Sequence, residues 1–148
     1  PVMSRWLGYL YYLSPFDLAL FKQDLAKGKI HDFMERLSTL LKYLPGEDHN
    51  ESTYRAVTYL LAVLSGTPAI AEHHSYKGRS DIEVFTGRFI YVFEFKYNKS
   101  VKEAMDQIHS RDYAGCFAMD SRTVYLIGAN LNDKKEERGL QYEIEASS

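Results

Sequence analysis

The chain has 148 residues, of which 45% are hydrophobic, and this is enough for one compact domain with a substantial core. Its formal net charge of −2 excludes a general attraction to polyanions, so a nucleic acid would need a local basic patch. The single cysteine, Cys116, excludes an internal disulfide and is expected to pack, which fits a reducing compartment such as the cytoplasm. The apolar opening residues are too few to span a bilayer and lack the features of a signal peptide, so we expect neither.

The first half of the chain predicts three helices. The first begins with Ser14 as its N-cap and Pro15 at its first helical position, and Gly28 ends it. A second stripe of apolar residues at helical spacing ends at Pro45. The third helix is predicted within residues 51–66, and its apolar stripe consists of Tyr54, Val57, Leu60, Leu61 and Leu64.

From Pro68 onward the hydrophobic pattern changes to the two-residue period of strands. Three β-rich runs cover residues 68–76, 80–86 and 88–97, and they predict three adjacent strands. The last two runs are predicted to form a hairpin around Gly87, because glycine tolerates the positive φ that a tight turn requires.

The rest of the chain predicts one more helix and two more strands. Residues 100–114 form the helix, with Ser100 as its N-cap and Glu103 at its third position. Residues 122–131 are almost wholly apolar, as a buried central strand should be, and residues 139–146 alternate like an edge strand. A helix that connects a hairpin to a further strand implies a mixed sheet with helices on its faces.

An acid and a lysine occupy the most apolar part of this predicted hairpin. Glu94 and Lys96 point to the same face of one strand, and Asp81 lies opposite the approach to Glu94. Magnesium or manganese could bind the two carboxylates, with the backbone carbonyl of Phe95 as a further ligand. Lys96 could then orient or deprotonate an attacking water and stabilise charge on a phosphate. The alternative is an exposed strand face with an ion pair, which contributes only about 0 to 1 kcal/mol.

Four segments carry a family resemblance: GRSD, VFEFK, EAMDQIHSRDYA and VYLIGAN. They resemble the PD-(D/E)XK nuclease superfamily, in particular the nuclease-like domain at the C-terminal end of bacterial AAA-ATPase-like proteins. The resemblance covers about residues 51–145 and implies a restriction-endonuclease-like α/β fold, in which a mixed sheet is flanked by helices. Ser80 stands where the superfamily's name has proline.

The resemblance also implies roles for individual residues. It makes Asp81 and Glu94 the two acids, Lys96 the lysine and Glu51 an acid on the preceding helix that joins the catalytic site. Gln107 of the following helix is implied to support the site.

Contacts with nucleic acid are a weaker expectation. The resemblance places Tyr113 at a position that supports the site or contacts nucleic acid, the alternative being a core residue. Arg79 and Lys99 belong to a group of basic residues near the site that could follow a phosphate backbone or simply be solvated, namely Lys77, Arg79, Arg88, Lys99, Lys102 and Arg111.

Glu72 could face the same patch from the neighbouring strand, or it could be an ordinary exposed strand residue. The adjacent His73 and His74 alternate faces, so a regular strand cannot present both to one metal ion. Neither histidine is therefore assigned as a ligand.

These patterns together predict a magnesium- or manganese-dependent nuclease acting on nucleic acid, with DNA preferred. The alternative is a catalytically inactive module of an ATPase-like protein that binds nucleic acid or another protein. Residues 1–50 are interpreted as a helical lead-in from a longer protein, and residues 51–148 as the nuclease-like domain. The expected partners are nucleic acid, the ATPase-like part of the same longer chain and a second copy in a homodimer, without a membrane.

Overall fold

Five strands form one sheet with helices on both of its faces. The computed structural model describes residues 15–42, 51–75, 78–132 and 139–147. In chain order the elements are α1 (Pro15–Ala26), α2 (Ile30–Lys42), α3 (Glu51–Leu64), β1 (Ala69–Ser75), β2 (Gly78–Phe85), β3 (Phe89–Tyr97), α4 (Val101–His109), α5 (Tyr113–Cys116), β4 (Thr123–Asn132) and β5 (Gly139–Ser147). The predicted cap Ser14 and the predicted helix end at Pro45 lie outside the described residues.

The strands follow the spatial order β1-β2-β3-β4-β5. β3 and β4 pair in parallel, with α4 and α5 in the connection between them, and the other neighbours are antiparallel. This arrangement confirms the predicted mixed sheet of a restriction-endonuclease-like α/β fold. It also confirms the central position of β4 and the edge position of β5 among the described strands.

The sheet separates two apolar cores. The larger core lies under α1, α2 and α3, so α1 and α2 pack on the same face of the sheet as α3. Alternate residues of β3 enter the two cores: Tyr91 and Phe93 enter the larger one, whereas Ile90 and Val92 enter the smaller one against α4. Glu94 is the next residue after Ile90 and Val92 in this alternation, so its side chain lies on the face of the sheet that α4 covers.

Two details of burial differ from the sequence prediction. In α3, Leu60 and Leu64 are only half-buried, since the face turned to the core also contains Thr53, Thr58 and Ala62. Cys116 was expected to pack, but it is exposed at the end of the one-turn helix α5.

None of the described helices has the length and the apolar character that crossing a membrane requires.

The single helix predicted over residues 100–114 is divided in two. Its start is as predicted, because Ser100 Oγ accepts the N–H of Glu103 at 3.1 Å. The helix ends at His109, however, and Asp112 Oδ1 accepts the N–H of Gly115 at 2.9 Å to cap a new turn. Asp112, which lies inside the predicted helix, is therefore the N-cap of a second, separate helix.

Gly87 does not serve the β2–β3 turn in the predicted way. Its φ is not positive, and a Cβ at this position would meet nothing within 4 Å. The turn is closed by Thr86, whose Oγ1 accepts the N–H of Phe89 at 2.8 Å and that of Arg88 at 3.3 Å. The hairpin was predicted correctly, but a hydroxyl side chain closes it without left-handed glycine geometry.

Gly128 of β4 allows α4 to lie close against the sheet. A Cβ at Gly128 would be 2.6 Å from Met105 Sδ and 3.1 Å from the backbone nitrogen of Met105. The short helix is held on the sheet by the buried side chains of Ala104, Met105 and Ile108. A larger residue in β4 would therefore push α4 away from the face that carries Glu94.

We expect Gly128→Ala to destabilise the protein by roughly 1–3 kcal/mol, because the backbone of α4 must shift to admit the methyl group. Gly87→Ala is the matched control and should change the free energy of unfolding by no more than about 0.5 kcal/mol. Urea unfolding of the two variants measures both effects. Equal stabilities would contradict the close approach of α4 to β4.

Candidate functional site

Asp81 and Glu94 face each other where β2 and β3 separate. The antiparallel register pairs Ile82 with Phe93, which places Asp81 across from Glu94 itself, whereas the sequence predicted it opposite the residues that lead into Glu94. Backbone pairing is interrupted at this point, and the N–H of Phe95 donates to Asp81 Oδ2 at 2.8 Å. A side-chain carboxylate of β2 therefore takes a hydrogen bond from the β3 backbone, which fixes its position beside Glu94.

Both carboxyl groups are buried, Asp81 with 6% and Glu94 with 1% of its surface exposed. Burial and the nearby Asp81 carboxylate raise the pKa of Glu94 to about 8, although the Arg111 guanidinium acts in the opposite direction. Burial disfavours a charged carboxylate, and a second carboxylate close by disfavours it further. The pair therefore favours the approach of positive charge.

Two arginines supply that charge in the structure. Arg111 Nη1 donates to Glu94 Oε1 at 2.7 Å, and Arg55 Nη1 donates to Asp81 Oδ1 at 3.0 Å. Both arginine side chains are largely buried, with 15% and 16% of their surface exposed. Sequence analysis did not select Arg55, and it grouped Arg111 with residues that could bind phosphate. Each acid of the pair thus has its own guanidinium.

Glu72 joins this cluster from β1. The β1–β2 pairs on either side of it are Ala71 with Ile82 and His73 with Ser80, so Glu72 lies across from Asp81. Its φ of 54° marks a local distortion of the strand, and Arg55 Nη2 lies 3.5 Å from Glu72 Oε1. Arg55 therefore contacts both Asp81 and Glu72. The Glu72 side chain is exposed, so its position agrees with both of its predicted environments.

Lys96 lies two residues beyond Glu94 on the same face of β3 and is half-buried. Among the residues that the structure describes, Glu94 forms its ion pair with Arg111, and no ion pair joins it to Lys96. The alternative of a simple Glu94–Lys96 pair on an exposed strand is therefore wrong. Phe95 lies between them in the chain, with its ring in the larger core.

Glu51 and Gln107 each lie four positions before one of the two arginines in the chain. Glu51 is the first residue of α3, four positions before Arg55 and hence on the same helix face, and it is half-buried. Gln107 is half-buried in α4, four positions before Arg111. Both residues are thus on the elements that border the acid pair.

The residues expected to contact nucleic acid lie in different environments. Tyr113 is buried in the smaller core with Ile108, which agrees with the alternative that it is a core residue. Lys99 is exposed, and its backbone N–H donates to the buried Asn130 Oδ1 at 2.9 Å. Arg79 is in β2, but its side chain is outside the part of the chain that the structure describes.

Glu83 is a further buried acid that sequence analysis missed. It has 2% of its surface exposed and lies two residues after Asp81, paired with Val92. Within the described ranges, however, no three histidine, cysteine or acidic residues are grouped so that they could bind one metal ion. A metal at this site would therefore rely on Asp81 and Glu94, with backbone, water and phosphate oxygens as its other ligands.

The family of the chain follows from sequence comparison. A family model described as the PD-(D/E)XK nuclease superfamily matches residues 49–140, which is more than half of the chain and includes the acid pair, both arginines and Lys96. No curated protein and no solved structure matches the chain.

The raised pKa of Glu94 predicts how stability depends on pH in metal-free buffer. The folded protein keeps a proton that the unfolded chain loses near pH 4.3, and it releases that proton only at about pH 8. The free energy of unfolding should therefore fall as pH rises through this range, by at most about 1.4 kcal/mol per pH unit. Glu94→Gln should remove most of this fall, as measured by urea unfolding across the range.

Glu143→Gln is the matched control for this measurement, since Glu143 is exposed on β5 two strands from Glu94. The control variant should keep the pH dependence of the unsubstituted chain. Identical pH profiles for the Glu94→Gln variant and the unsubstituted chain would show that Glu94 titrates normally in the fold.

Proposed function

The chain belongs to the PD-(D/E)XK nuclease superfamily, and on that premise we propose that it is a metal-dependent nuclease that hydrolyses phosphodiester bonds of DNA. Members of the superfamily usually hydrolyse phosphodiester bonds and commonly use divalent metal ions. The observation that carries the proposal is the buried pair Asp81 and Glu94, with Lys96 beside it on the same face.

The acid pair has the donors that Mg²⁺ or Mn²⁺ binds. Asp81 and Glu94 offer carboxylate oxygens from neighbouring strands, and the backbone carbonyl of Phe95 is the further ligand that we propose. Two positive guanidinium groups already offset the repulsion between the carboxylates, so a divalent cation would have to compete with these contacts in order to bind. When bound, the ion would lower the pKa of a water and neutralise charge on the scissile phosphate.

The protein's own residues would divide the remaining work. Lys96 Nζ would orient the attacking water, take up its proton when neutral, or stabilise negative charge on the phosphate oxygens when protonated. Arg55 and Arg111 would hold the carboxylates in place before loading, and their N–H groups suit phosphate oxygens afterwards. Glu51 and Gln107 would support the site from α3 and α4.

The proposal also covers the domain organisation of the protein. We propose that residues 51–148 are the nuclease-like domain of a longer ATPase-like protein and that residues 1–50 lead into it. The competing function is an inactive module that binds nucleic acid or protein. The arginine on each carboxylate is the observation that favours this alternative, because internal cations already pair with the acids.

We expect calorimetric titration with Mn²⁺ to detect binding that Asp81→Asn weakens at least about tenfold, because an amide is a poorer ligand than a carboxylate. Asp106→Asn is the control, since this exposed residue of α4 pairs with Lys102 away from the acid pair. If Asp81→Asn bound Mn²⁺ as tightly as Asp106→Asn, the ion would not use Asp81.

We expect Lys96→Ala to lower the rate of DNA cleavage with Mg²⁺ by about 10²-fold or more, while the variant folds and binds metal nearly as before. Lys96→Arg should not restore the rate, because guanidinium stays protonated and has a different shape. Lys22→Ala removes an exposed lysine of α1 and should cleave normally.

Cleavage that survives in both Lys96→Ala and Glu94→Gln would contradict the catalytic assignment. An unsubstituted chain without activity on several substrates and metals would instead support the inactive module.

A further inference from the structure

A cleft of about 530 Å³ opens between α3 and the edge strand β1, next to the acid pair. Arg55 and Glu72 are among its lining residues, and Arg55 also donates to Asp81, so the cleft and the acid pair share a residue. The proposed reaction makes no use of the other lining residues, which are Ser52, Ala56, Tyr59, Ala69, Ile70 and Ala71.

The walls of the cleft suit a flat aromatic group. Alanine side chains leave the space open, Tyr59 contributes a half-buried ring, and Ile70 is 44% exposed. Among the described strands β1 pairs only with β2, so the outer edge of β1 offers backbone N–H and C=O groups. A nucleobase needs both features, an apolar face for stacking and hydrogen-bonding groups along its edge.

Arg55 is the positive group that the cleft offers to a phosphate, and it lies beside the carboxylates of Glu72 and Asp81. The described contacts of Arg55 use its two terminal nitrogens, with Asp81, Ser52 and Glu72 as partners. Because guanidinium has five N–H donors, Arg55 can keep a contact to Asp81 and still reach a phosphate oxygen. A phosphate bound there would lie beside Asp81, and the base attached to it would point into the cleft.

We propose that the cleft between α3 and β1 binds one unpaired nucleotide next to the scissile phosphate and that the substrate is single-stranded nucleic acid. This inference rests on the proposed nuclease function. A volume of about 530 Å³ is in the range of small-ligand sites and is ample for one base. A base can enter the cleft only when its faces and its edge are free, and within a duplex the faces are stacked and the edge is paired. A duplex would have to expose the base first, whereas a single strand offers it at little cost.

The test is binding of a short single-stranded oligodeoxynucleotide that contains 2-aminopurine, with chelator present so that metal-dependent cleavage cannot occur. The fluorescence of 2-aminopurine should fall as the base enters the cleft, and the blunt duplex of the same sequence should bind at least about tenfold more weakly. Tyr59→Ala should lower affinity for the single strand by roughly 5- to 100-fold, and Tyr59→Phe should keep it.

Ala56→Trp provides a second variant, because a large side chain at Ala56 fills the cleft while the Tyr59 ring remains. It should also abolish the fluorescence change. Ala19→Trp, on an exposed position of α1, is its control and should bind like the unsubstituted chain. Thermal unfolding confirms that each variant is folded.

Binding that is equal for duplex and single strand, or unchanged in both Tyr59→Ala and Ala56→Trp, would overturn this inference. Duplex cleavage by the same chain would then leave the nuclease proposal intact. Cleft-dependent binding of the single strand without any cleavage, by contrast, would support the cleft and count against the nuclease.

Discussion

The arrangement of the site depends on two carboxylates that are buried side by side. Asp81 and Glu94 face each other across β2 and β3, and water reaches neither of them freely. Like charges in such a place repel each other and lose hydration, so the fold must supply a cation or leave a proton on one of them. The structure uses both means, because Arg55 and Arg111 each pair with one acid while the pKa of Glu94 is raised.

The helices on the two faces of the sheet bring positive charge to the two carboxylates. α3 brings Arg55 to Asp81, and the break between α4 and α5 places Arg111 at Glu94. Gly128 lets α4 lie close to β4, which keeps this break near the sheet. In the proposed nuclease, a cation that takes the place of an arginine at one carboxylate would leave that guanidinium able to contact a substrate phosphate, so the arginines would serve the site both without and with metal.

The sequence predicted the sheet and the acids because those signals are local. Period-two alternation and the hairpin placed Asp81 opposite the approach to Glu94, and helical spacing identified the core side of α4. The arginine partners could not be predicted, since Arg55 lies 26 residues before Asp81 and only the packing of α3 brings them together. The predicted helix over residues 100–114 failed for a different reason: Asp112 caps a new turn, and the hydrophobic period does not show this.

The most direct test of the account is a crystal structure of the chain grown with Mn²⁺, measured at a wavelength where manganese scatters anomalously. The account predicts one anomalous peak between the carboxylates of Asp81 and Glu94, with at least one of the Arg55 and Arg111 contacts to these acids broken or lengthened. A map without a peak there, in which both arginines still pair with the carboxylates at millimolar Mn²⁺, would contradict the assignment of this acid pair as a metal site.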